Sequence, residues 1–95
     1  MPILQIDHGV RDFGTWKQAF DSDPVGRKAG GVRRHRIVRA TDDPNYVIIE
    51  LEFDTLDEAE SFREKLTEMW STAGPRLGLE RPSARVVDVV ERKDY

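Results

Sequence analysis

Ninety-five residues, 38% hydrophobic and 35% charged, make one small domain (1–95) and leave no room for a second. The absence of cysteine excludes disulfides, thiolate metal sites and a cysteine nucleophile. A net charge of -3 argues against nucleic acid as the main partner, and no apolar run approaches the ~18 residues of a membrane span.

Ile3 to His8 predict a first strand bounded by Gly9, with Leu4, Ile6 and His8 on one face and Ile3, Gln5 and Asp7 on the other. Met1 to Asp7 carry no basic segment, long apolar run or small-residue cleavage site of a secretory signal, so the expected location is the cytoplasm. From Asp12 the spacing turns helical, with Phe13, Trp16 and Phe20 on one stripe and Asp12 available as a cap. Asp21-Ser22-Asp23-Pro24 breaks that helix, Val25 to Ala29 suit a short extra turn, and Gly30-Gly31 releases the chain. Strands over 32–40 and 46–53 flank Thr41-Asp42-Asp43-Pro44-Asn45, residue types that favour a tight reversal.

In that hairpin, the register that sets Arg36 opposite Glu50 and Arg34 opposite Glu52 joins two charge blocks. The first runs from Arg27 to Arg39 without an acid, and the second follows it. The same register puts His35 opposite Leu51, on the apolar face. A capping box at Thr55 and Glu58 opens a second helix, whose stripe is Leu56, Ala59, Phe62, Leu66, Met69, Trp70 and Ala73. Gly74-Pro75 is expected to stop it, a loop to run to Pro82, and Ala84 to Glu91 to form the last strand.

The order strand, helix, strand, strand, helix, strand predicts an α+β, ferredoxin-like βαββαβ fold, a four-stranded antiparallel sheet with two helices on one face. The expected inner face carries Leu4, Ile6, His8, Ile37, Val47, Ile49, Leu51 and Phe53, continued by Val87 and Val89. The outer face then holds Val38, Ile48, Val86 and Val90 beside its charges, too many β-branched residues for a solvated sheet. A homodimer packed sheet to sheet is the expected cover.

Nearly the whole chain resembles the dimeric α+β barrel proteins, in particular small members near the antibiotic-biosynthesis monooxygenase and cyclase groups. The resemblance rests on Phe13-Gly14-Thr15-Trp16-Lys17-Gln18-Ala19-Phe20-Asp21, on Asp42-Asp43-Pro44-Asn45-Tyr46-Val47, and on Glu50 through Ala59. It implies an obligate homodimer and, in the enzymatic branches, a pocket between sheet and helices. Among those branches are cofactor-free oxygenases of aromatic polyketides and haem-degrading enzymes. The latter resemble this chain less, since they use an Asn, a Trp and a His together and the sequence offers only Asn45, in a turn.

His8 is the candidate for proton transfer, because an imidazole on the helix-facing side can act as acid or base near neutral pH. A core histidine with a hydrogen-bond partner would look the same. Trp16, His35 and Trp70 are the candidate ligand-binding residues, flat walls with a polar handle, and Trp16 also suits plain core packing. Phe20 and Phe62 read as core, and Arg27 and Lys28 as surface charge that can touch an acidic ligand. No metal or cofactor site is expected, since two histidines lack a clustered third ligand. These residues predict a protein that binds a small apolar or aromatic molecule, as a cofactor-independent monooxygenase or cyclase, or else a non-catalytic dimeric module.

Overall fold

Leu4, Ile6 and His8 are buried in alternation with half-exposed Ile3, Gln5 and Asp7 along β1 (Ile3–Gly9), the strand on which the sheet is built. The computed structural model describes residues 1–95. After β1 come α1 (Phe13–Asp21), β2 (Arg34–Arg39), β3 (Tyr46–Glu52), α2 (Leu56–Leu77) and β4 (Glu80–Val87). The four strands form one antiparallel sheet in the order β2-β3-β1-β4, the ferredoxin-like arrangement expected from the element order.

Between β2 and β3 the register pairs Arg36 with Glu50, Arg34 with Glu52 and His35 with Leu51, as the charges predicted. Both arginines reach their partners, at 2.8 Å for Arg36 and 3.1 Å for Arg34. Such exposed pairs contribute about 0–1 kcal/mol each, so they select the register more than they stabilise it. Stability comes from the inner rows, where Leu4, Val47, Ile49, Leu51 and Phe53 are at most 2% exposed. Each fully buried side chain of this kind is worth about 1.5–3 kcal/mol.

Asp12 caps α1 by accepting from the Thr15 amide, and Thr55 caps α2 by accepting from the Glu58 amide. Asn45 holds the start of α1 from across the sheet, accepting from the Phe13 amide through its side chain and from Val10 through its carbonyl. The end of α2 differs from the expected stop at Gly74-Pro75. The helix runs on to Leu77 and ends at Gly78, in the left-handed conformation with φ 74°. Proline disfavours a helical residue before it partly by clashing with that residue's Cβ, and Gly74 has none. Arg11 then donates to the Pro75 carbonyl at 2.9 Å, placing a cation at the helix C-terminus.

The longer helix advances β4 by four residues relative to the expected strand, and its faces are the reverse of those assigned from the sequence. Val86 pairs with Leu4 and Ala84 with Ile6, so these two point inward, whereas Val87 pairs with Ile3 on the outer face. Val89 and Val90 lie beyond the strand and are exposed. The outer face therefore carries Ile3, Val38, Ile48 and Val87 among its charges. Leu56, placed on the α2 stripe, sits in the first turn and is 54% exposed.

After α1 the chain passes through hydrogen-bonded turns over α2 before entering β2. Gly30 makes this passage possible, because a Cβ there would lie 2.6 Å from a ring carbon of Phe62. Gly31 adds the left-handed backbone, with φ 98°. Gly30→Ala should cost about 1–3 kcal/mol in urea denaturation, the usual penalty for overpacking. Wild-type stability in that variant would mean that the Phe62 ring moves aside freely.

Candidate functional site

Helices α1 and α2 lie on the same sheet face without closing fully on each other, and the segment 22–27 roofs the gap. The result is a cavity of about 230 Å³, with 13 of its 18 lining residues hydrophobic, a composition suited to an apolar guest. The sheet contributes Ile6, His8 and Leu51 to its floor. Trp16 and Phe20 project from α1, Met69 and Trp70 from α2.

His8 is the polar group at the floor, 3% exposed and flanked by both indoles. Its ring centroid lies 5.6 Å from that of Trp16 and 6.2 Å from that of Trp70, each edge to face. Nδ1 meets the Gly9 carbonyl at 3.3 Å, which suits the tautomer that carries its proton there. No protein group hydrogen-bonds Nε2, and no buried polar side-chain atom lacks a partner, so Nε2 keeps access to the cavity. Burial holds the imidazole below its ordinary pKa, against smaller opposing effects of the Gly9 carbonyl and the Asp7 charge. The site thus presents a neutral imidazole with an acceptor nitrogen free for a guest, the state a general base requires.

Three of the four residues singled out from the sequence, His8, Trp16 and Trp70, surround this one cavity. His35 does not join them. It is exposed on the edge strand β2 and packs edge to face on Phe20, ring centroids 5.2 Å apart. An inward direction on an edge strand does not ensure cover from a helix. Phe20, read as core, is a cavity wall instead, packed 5.2 Å from Trp16. Arg27, read as surface charge, is half-buried over the Phe20 ring at 3.9 Å and lines the cavity mouth. The signal for both was the break at Asp21-Ser22-Asp23-Pro24, which folds the following chain back onto α1. Asp23 receives the Arg27 amide at 2.9 Å and so closes that turn. No three His, Asp or Glu side chains are grouped as a metal site.

No family model and no curated protein matches the chain. Solved structures match it over nearly its whole length. SnoaB, a cofactor-independent oxygenase from Streptomyces nogalater, superposes with a TM-score of 0.68 over 96% of this chain and 94% of its own, at 16% identity. A dimeric ferredoxin-like protein from an uncultured marine organism gives a TM-score of 0.63 over 99% and 98%, at 12% identity. An antibiotic biosynthesis monooxygenase gives 0.60 over 96% and 100%, at 10% identity. The chain has the fold of the dimeric α+β barrel proteins, as the sequence resemblance implied. No helix is long and apolar enough to cross a membrane.

The protonation of His8 is testable through stability. Well above the ordinary imidazole value of 6.5 the ring is neutral in folded and unfolded chains alike and adds no pH dependence. Below that pH the unfolded chain binds a proton before the folded chain does, so stability falls on acidification. His8→Gln should remove this part of the slope in urea titrations from about pH 7.5 to about pH 5. The same slope in the variant would assign the acid sensitivity to other groups.

Proposed function

We propose that this protein is a homodimer that binds a flat aromatic molecule between sheet and helices and oxygenates it without a cofactor. The observation that carries this reading is the unpaired Nε2 of a neutral His8 in a largely apolar cavity between two indoles. The likeness to SnoaB, a cofactor-independent oxygenase, supports it. In this reading His8 takes a proton from an acidic carbon of the guest, and the carbanion supplies the electrons that reduce O2. A carbon–oxygen bond forms as a hydroperoxide, which loses water to leave a carbonyl, so one oxygen atom enters the product and the other leaves as water. Trp16 and Trp70 stack on the guest, and the apolar walls keep the carbanion from reprotonation by solvent. Cyclase chemistry would begin with the same proton abstraction and consume no oxygen.

The homodimer rests on the outer sheet face, where Ile3, Val38, Ile48 and Val87 lie among charged pairs, and on the dimeric ferredoxin-like protein of the same fold. A cytoplasmic location belongs to the same proposal.

Two measurements test these readings. An oxygen electrode with a polycyclic aromatic that carries an acidic benzylic carbon should record uptake by the wild type. Uptake should fall about 100-fold or more in His8→Gln, the scale of a general base, and several-fold in Trp70→Phe. Binding of the aromatic with no turnover of any kind would favour the non-catalytic module. Native mass spectrometry should give a dimer for the wild type and a monomer for Ile48→Lys, whereas a monomeric wild type would remove the sheet-to-sheet assembly.

A further inference from the structure

Beside the cavity lies an open groove of opposite character. Its walls include Arg27, Lys28, Arg33, Arg34 and His35, with Asp23 as the sole acid. Such a concentration of positive charge runs against the net charge of -3 of the whole chain. Two of the arginines are already committed, Arg34 to Glu52 at 3.1 Å and Arg33 toward Asp54 at 3.6 Å. Arg27 and Lys28 retain donor capacity. The Arg27 side chain makes one hydrogen bond to protein, from Nη1 to the Phe20 carbonyl at 2.7 Å, and its Nε is 3.6 Å from Asp23. The Nη2 hydrogens are left for an outside acceptor. Lys28 is exposed and forms no ion pair.

Arg27 and Asp23 line both the cavity and the groove, so the two spaces meet at this pair. The Phe20 ring, a wall of the cavity, touches Trp16, the His35 ring and the Arg27 guanidinium, and so stands beside residues of both spaces. We propose that the two spaces form one site for an anionic amphiphile, an aromatic body in the cavity and a carboxylate past Phe20 held by Arg27 and Lys28. This deepens the preceding reading and rests on it for the occupancy of the cavity. Arg27 is half-buried, so its hydrogen bond to a carboxylate is charge-assisted and only partly screened. The geometry also gives His35 a place beside the carboxylate, apart from the cavity where the sequence put it.

The test uses two probes of equal shape, 2-naphthoate and neutral 2-naphthalenemethanol, titrated calorimetrically into the full chain at low salt. Without the groove the carboxylate should bind more weakly than the alcohol, since it loses hydration on entering apolar surroundings. With it, naphthoate should bind about tenfold more tightly, and added salt should erode that preference. Arg27→Met keeps an apolar stem over Phe20 and should abolish the preference with little change for the alcohol. Lys28→Glu, on an exposed side chain with no bearing on folding, should weaken naphthoate several-fold and leave the alcohol alone. Binding of the alcohol with no carboxylate preference, or a preference that survives both variants, overturns this proposal and spares the cavity. Failure of both probes to bind overturns the cavity reading and this one together.

Discussion

The alternation of β1 governs this molecule. β1 pairs with β3 on one side and β4 on the other, so its two faces set the faces of the whole sheet. Leu4 and Ile6 form the centre of the inner rows, and His8 continues their line under the helices. Asp7, the neighbouring carboxylate in sequence, must point to the opposite face, where the Tyr46 hydroxyl donates to it. That carboxylate is thereby kept out of hydrogen-bond contact with His8, and its charge opposes the effect of burial on the imidazole only in part. A one-residue slip of β1 would exchange these positions, exposing the core and charging the cavity floor.

The hairpin register and the inner faces of β1, β2 and β3 were legible in the sequence because charged residues mark one parity of each strand. Arg34, Arg36, Glu50 and Glu52 cannot face a helix, and their neighbours Ile37, Ile49 and Leu51 gain by doing so. β4 was not legible in the same way. Val86-Val87 and Val89-Val90 put apolar residues at both parities, so the local pattern does not choose a face. The choice falls to what lies across the sheet. Leu4 and Ile6 draw Val86 and Ala84 inward, and Arg85 is left beside Gln5 on the open side. The end of α2 escaped for a related reason: Pro75 is a helix breaker by local rule, but Gly74 removes part of the steric conflict and Arg11, far away in sequence, satisfies its carbonyl.

The candidate site divides along the same line. His8, Trp16 and Trp70 could be found because strand parity and helix periodicity assign each an inward direction. The space between them could not, since it arises from packing that is left incomplete between α1 and α2. Phe20 and Arg27 gain their roles only when the segment after α1 folds back, a path that depends on Gly30 passing close to Phe62. His35 shows the converse, an inward-facing residue on an edge strand that extends past the cover of the helices.

A cavity of this kind lowers stability, because its walls forgo contacts that a closed core would make. The neutral histidine at its floor adds a further cost on acidification, when a proton would have to enter apolar surroundings. Phe53, Leu4 and Ala59 pack with no exposure, while His8 is framed by the rings of Trp16 and Trp70. Rings suit that task because two torsions fix a large flat surface. The fold therefore sets a cavity lined by His8, Trp16, Trp70 and Arg27 directly against the packed core that holds the sheet and helices together.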